Sequence, residues 1–478
     1  MSLRSLRNPR RRAASIEPGF VPHREGALMN TTAPAAAAAV GTSGRGTRRG
    51  RTRLIIVGSL LTGAVLAVVL PLLVFAGTTE SAVTGSALLG FAIGWAMLAL
   101  LSTRLTDQPQ RWAWVPAAAL GATGLGLLIV APDDPGLTAA GWVWPPLLLA
   151  LAVWIGMRVR RSMSAGRWQL YPVVVVMVVA SVGGAAETVG LAADQHTYAM
   201  PGRLYDVGGH RLHLDCTGSG GPTVVLMSGL GGSSASWARI APAVVHTTRV
   251  CAYDRAGQGW SDAAAPQNGV SAAADLHTLL ARAGEHGPYV LVGHSIGGDY
   301  AMTYADRYPE QVAGMILLDT TSPYQTAGGM TNAGSLNPFA LLPSVARLGV
   351  GRLFPTSTWS AFPDREASRF AAFSTSPRGL QNTVDEMGSM PALLDEAQRL
   401  SSLGSTPLVV LTAAGHESDA VWNAAQDRMA ALSTNSSHRQ GDAGHGGLLD
   451  EAAGAQQSAD AITDVVRAAR TGTTLGPN

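Results

Sequence analysis

Apolar residues are not spread evenly along this chain of 478 residues. Early on they gather into five near-continuous stretches, at about 54–76, 82–102, 112–131, 137–157 and 169–190. A helix of about 20 apolar residues crosses roughly 30 Å of hydrocarbon, so the pattern predicts an all-α membrane region over 54–190 with about five transmembrane helices. None of the stretches carries a charge in its interior; Glu187 lies near the end of the fifth. From about residue 197 the pattern changes. Short apolar runs such as Val224-Val225-Leu226-Met227, which stops at Ser228, Val312 to Leu318, which stops at Asp319, and Pro407 to Thr412 predict buried strands. Between them run helical periodicities such as Ala274, Leu276, Leu279 and Leu280. An α/β domain is therefore expected over 197–470, interrupted between about 321 and 404 by short Pro- and Gly-containing apolar segments.

Composition supports the membrane region: only 14% of residues are charged. All 34 basic residues are arginine and the net charge is +2, so nothing argues for a nucleic-acid partner. The Arg/Ala-rich arm 1–53 is of low complexity and is expected to be disordered, with Met29 a second candidate start. Arginine placement sets an orientation. The arm, the connection with Arg104 and Arg111, and the connection with Arg158, Arg160, Arg161 and Arg167 alternate with two connections, 77–81 and 132–136, that hold no basic residue. The positive-inside rule puts the arm in the cytoplasm and, after five spans, the α/β domain on the outer face of a multi-pass cell-membrane protein. Spans without buried ionisable groups fit an anchor better than a transporter.

The chemistry sits at Tyr289-Val290-Leu291-Val292-Gly293-His294-Ser295-Ile296-Gly297-Gly298. An apolar strand runs into Gly-x-Ser-x-Gly, and a helical pattern follows from Asp299. A serine hydroxyl attacks a carbonyl only when it is held exposed beside a base, with donors facing the oxyanion that forms. A strand-to-helix elbow meets these needs: Gly293 and Gly297 permit the close turn, Ser295 stands at its tip, and the Ile296 amide faces the developing charge. The stretch resembles the nucleophile elbow of the α/β-hydrolase family. Further stretches carry the likeness. Ser228-Gly229-Leu230-Gly231-Gly232 follows the strand ending at Met227, with serine where such hydrolases often have histidine, and Leu230 supplies the second oxyanion amide. Asp254-Arg255-Ala256-Gly257-Gln258-Gly259-Trp260-Ser261 is similar to a turn that is structural in the family.

The resemblance covers roughly 200–470 and implies an α/β-hydrolase fold: a mostly parallel, eight-stranded sheet flanked by helices, a helical cap at about 321–404, and neither metal nor organic cofactor. It implies His445, in Asp442-Ala443-Gly444-His445-Gly446-Gly447, as the base, and leaves His294, His416 and His438 without catalytic roles. The acid stays open between Asp319, at the end of the sixth strand and slightly favoured, and Glu417 or Asp419 after the seventh. The family topology sets the second strand antiparallel beside the fourth, so Cys216 and Cys251 are either a disulfide or two buried thiols. A serine at the elbow implies a membrane-anchored serine esterase or lipase acting through an acyl-enzyme on small-molecule or lipid esters, with membrane lipid as its other partner. A peptidase or amidase of the same mechanism, or a non-catalytic sensor or binding module, are the alternatives.

Overall fold

The computed structural model describes residues 43–75, 79–163, 166–324, 337–354, 361–416 and 418–476. The arm up to residue 42 and Glu417 therefore lie outside the described residues.

Helix α1 (Ser43–Val69) starts eleven residues before the apolar stretch it carries, and ends in a π-helical turn, Leu70–Val74, at Pro71. It is followed by α2 (Glu80–Leu105), α3 (Trp114–Val130), α4 (Asp134–Ala140), α5 (Trp144–Ser162) and α6 (Arg167–Thr197). Among the described residues, four helical segments are long and apolar enough to cross a membrane, or five if α4 and α5, bent by 46°, count as one. Over the expected fourth span, 137–157, the helix is therefore broken in two. Pro145 and Pro146 offer no amide to the preceding turn and disfavour helical backbone just before them, so the chain breaks at Gly141–Val143 and restarts with proline in its first turn. A hydropathy pattern averages over such a break.

The helices pack on Trp95, Leu98, Ile155, Val159 and Leu170, all buried. A Cβ on Gly90 would fall 2.3 Å from the Ala67 amide nitrogen, so α1 and α2 cross in backbone contact, the kind of close approach that small residues allow between apolar helices. The outward faces remain apolar: Ile129 is 80% and Trp168 72% exposed. Such a surface suits lipid.

The α/β region begins with the hairpin β1 (Arg203–Asp206) and β2 (Arg211–Thr217), then β3 (Val224–Met227), α7 (Ile240–Val244), β4 (Val250–Tyr253), α8 (Gly269–Arg282), β5 (Tyr289–His294), α9 (Ile296–Arg307) and β6 (Val312–Leu318). Among the described residues, α10 (Leu342–Ala346), α11 (Asp364–Ser374) and α12 (Pro377–Ala397) interrupt the alternation before β7 (Leu408–Thr412), α13 (Ala420–Ala430), β8 (Ser436–Gln440), α14 (Gly447–Asp450) and α15 (Ala452–Thr471). The eight strands form one sheet in the order β1-β2-β4-β3-β5-β6-β7-β8. Only the β1-β2-β4 pairings are antiparallel.

Helices cover both faces. Along β5, Tyr289 and Leu291 join the core under α8 and α9, while Val290 and Val292 join the core under α7 and α15. This two-sided burial explains why the central strands read as unbroken apolar runs and not as alternating patterns. Cys216 and Cys251 stand directly opposite on β2 and β4 and are joined in a disulfide.

Candidate functional site

Ser295 falls between β5 and α9 with φ 54° and ψ −130°, backbone that a non-glycine residue adopts only when its surroundings impose it. They do so here. A Cβ on Gly293 would lie 2.3 Å from the Gly298 nitrogen, and one on Gly297 would lie 2.2 Å from the Met227 carbonyl oxygen. The turn is tight because α9 starts directly on the sheet. Ile296 opens α9, so its amide belongs to the first N–H groups, which have no partner inside the helix. Across from it runs the loop after β3. A Cβ on Gly229 would come 3.0 Å from the Ser295 Cβ, so the loop that continues into Leu230 passes directly beside the serine.

His445, on the loop between β8 and α14, donates from Nδ1 to Asp319 Oδ2 at 2.6 Å. Asp319 closes β6 in left-handed backbone (φ 41°), and its other oxygen accepts the Ala413 amide at 3.0 Å. Burial by itself would raise the Asp319 pKa; the hydrogen bonds from His445 and Ala413 outweigh it and hold the carboxyl below its ordinary value. The parallel order β6-β7-β8 brings these groups together, since residues at the carboxyl ends of adjacent parallel strands share one rim. Asp419 is elsewhere. It is exposed and caps α13, accepting the Val421 and Trp422 amides at 3.1 and 2.9 Å.

Three further residues border the site. His294 donates from Nε2 to the His445 carbonyl at 2.9 Å, and the two rings lie 4.5 Å apart, which locks the His445 loop to the residue preceding Ser295. His416, read from the sequence as an incidental histidine, stacks on Trp422 with its Nε2 3.8 Å from Asp319 Oδ2. Glu386, on cap helix α12, gave no signal in the sequence. Its carboxylate accepts the Gly231 amide at 2.9 Å, Arg255 Nε at 2.8 Å and Gln258 Nε2 at 3.0 Å. Arg255 in turn donates to the Ser228 and Gly229 carbonyls. The loop carrying Leu230 is therefore tied on both sides to a buried Arg255–Glu386 pair.

Glu386→Ala would strand the buried Arg255 guanidinium, and removal of one partner of such a pair costs about 3–5 kcal/mol. The expected result is a matching loss of unfolding free energy in denaturant titrations of the full chain, with Glu386→Gln losing less because it still accepts hydrogen bonds.

Burial and then the charge of His445 push the His294 pKa down to about 4. The folded state thus refuses a proton that the unfolded chain takes near pH 6.5. Stability must fall as pH drops from about 6.5 to 4, by roughly 3 kcal/mol for this group. Unfolding midpoints of the wild type and His294→Gln compared across that window should converge toward acid, the substituted chain lacking this contribution.

Among the described residues, the donors close enough together to hold a metal ion are Cys216, Cys251 and Glu285. Both sulfurs are consumed by the disulfide, and Glu285 pairs with Arg249, so this set does not fit a metal.

Residues 222–452 match the family model of the α/β-hydrolase fold. An uncharacterized protein of Schizosaccharomyces pombe is 31% identical over 229 residues, which cover 41% of this chain and 42% of that protein; the chain thus spans less than half of that relative's length. RutD of Agrobacterium fabrum, named as a carbamate hydrolase, is 26% identical over 200 residues, covering 40% of this chain and 74% of that protein. Among solved structures, Cfl2 of Burkholderia cenocepacia is 23% identical, with a TM-score of 0.45 over 55% of this chain and 95% of that one. The matched residues are those that build the sheet from β3 onward and the elbow on it, and this region of the chain has the α/β-hydrolase fold.

Proposed function

We propose that the chain is a membrane-anchored serine hydrolase that cleaves carboxylic esters. The observation that carries the reading is the Asp319–His445 hydrogen bond on a loop locked beside the strained Ser295 elbow. With Nδ1–H committed to Asp319, His445 Nε2 is the free base nitrogen. It takes the Ser295 proton as Oγ attacks the ester carbonyl, and the Leu230 and Ile296 amides receive the oxyanion. Collapse expels the alcohol, protonated by His445, and leaves Ser295 acylated. Water, deprotonated by the same nitrogen, then releases the acid and restores the serine. Asp319 keeps the imidazole in its working tautomer and offsets its charge while it is protonated.

The likeness to RutD favours a second substrate class, carbamates, which the same acyl chemistry would serve. The apolar helices and the arginine-bearing connections support an anchor with the hydrolase region outside the cytoplasm. Incubation of the detergent-purified full chain with a fluorophosphonate probe tests the reading. Peptide mapping should find the adduct on Ser295, and esters, carbamates and amides of one acyl group then rank the substrate classes. A folded chain that takes no label would instead be a binding module.

A further inference from the structure

We propose that the cap segment 337–354 is held in the outer interface of the membrane by the chain's own spans, and that the ester brought to Ser295 is a lipid whose acyl chain lies in that leaflet. This rests on the serine-hydrolase reading above and names its substrate class.

Depth is the first argument. A Cβ on Gly183 of α6 would lie 2.1 Å from the Leu348 carbonyl oxygen, and one on Gly349, at φ 78°, would lie 2.5 Å from the Gly183 oxygen. The cap turn at Leu348–Gly349 therefore rests on bare helix backbone. At 1.5 Å per residue, Gly183 is about 10 Å inside the apolar stretch that ends at residue 190. A cap that only hovered over the membrane would meet α6 nearer its end at Thr197.

The contacts around this turn form a clamp. Arg347 pairs with Glu80 at 2.5 Å and Asp134 at 3.0 Å, the opening residues of α2 and α4. Arg352 pairs with Glu187 at 2.7 Å and Asp194 at 2.9 Å on α6. Three residues before Arg347, Ser344 shares a hydrogen bond of 2.7 Å with Thr84. Every one of these partners sits where arginine placement puts an outer helix end. Arg347 and Glu80 are almost wholly buried, so the joint is part of the packing and not a loose surface contact.

What the clamped segment presents outward is apolar. Leu353 is 79%, Phe354 57% and Phe339 49% exposed. On α6 the residues flanking the docked turn, Val182 and Val189, are 60% and 57% exposed. Apolar surface on the cap thus continues into the apolar surface of a span, at the depth of the headgroup and acyl boundary. Lipid is the occupant that covers both, since removing such surface from water stabilises by about 25 cal/mol per Å². The same element reaches the site. Helix α10 packs against α12, and α12 carries Glu386 and Thr383 onto Gly231 of the oxyanion loop.

The test uses the full chain in phosphatidylcholine nanodiscs. A nitrobenzoxadiazole label on Leu353→Cys should be quenched by lipids with a doxyl group high on the acyl chain and shielded from aqueous iodide; the reverse overturns the interfacial placement. Leu353→Glu with Phe354→Glu should leave soluble nitrophenyl acetate turnover within about twofold of wild type while lowering hydrolysis of a nanodisc-embedded long-chain acyl ester at least tenfold. Equal turnover of the embedded ester by both chains overturns the substrate class. A wild type that is quenched at depth yet cleaves neither ester supports the placement and sinks the hydrolase reading with its substrate, so the two failures are distinct.

Discussion

Ser295→Ala is expected to hydrolyse nitrophenyl acetate about 10⁶-fold more slowly than the wild type, with the fluorophosphonate adduct lost altogether. The size follows from the chemistry. Without the hydroxyl there is no acyl-enzyme, and only binding and oxyanion stabilisation remain to assist water; loss of the nucleophile in such a machine costs on that order. The fold should survive, because alanine removes one half-buried oxygen and leaves the glycine contacts that shape the elbow untouched. The two steps separate in a stopped-flow trace: the wild type gives a burst of alcohol whenever deacylation is slow, and the substituted chain gives none. A residual rate within about a hundredfold of wild type would move the nucleophile to another residue.

Asp319→Asn should lower turnover by about 10⁴-fold at neutral pH while changing KM little. The carboxylate has two partners, the Ala413 amide on Oδ1 and His445 Nδ1–H on Oδ2. An asparagine can keep the first by placing its carbonyl oxygen there. It then turns an NH₂ group toward His445, where two donors would face each other. The imidazole must move its proton to Nε2, which disarms the nitrogen that should accept the Ser295 proton. Asp419→Asn is the matched control. It keeps its cap on α13 because asparagine caps as well as aspartate, so rate and stability should both stay near wild type. Circular dichroism and the Ser295 labelling rate, measured side by side, would tell a wrong tautomer from a collapsed site. Acid adds a check on Asp319. Its folded pKa is depressed, so the stability it contributes is present above the ordinary carboxylate range and is lost as pH falls through the lower folded value.

The legible parts of this chain are those whose physics is local. The elbow is one strand, one turn and one helix, and its first glycine is required by atoms within a few residues, as the approach of Gly293 to the Gly298 nitrogen illustrates. The central strands declared themselves because both of their faces are buried, and the sheet of eight strands agrees with what the family resemblance implies. The broken helix pair at α4 and α5 was missed because hydropathy sums side-chain character and is indifferent to the lost amides of Pro145 and Pro146.

By itself, then, the sequence determined the apolar helices, the α/β region and a serine in a tight strand-to-helix elbow, all encoded by periodicity and by residues adjacent in the chain. It left the choice among Asp319, Glu417 and Asp419 open, and it was silent on Glu386. What the tertiary structure adds is pairing across long stretches of chain. Asp319 meets His445 across 126 positions, and Arg255 meets Glu386 across 131. The clamp from Arg347 to Glu80 spans 267. Pairings of that range leave no periodic trace, because they depend on which strand ends share a rim and on where an inserted cap comes to rest.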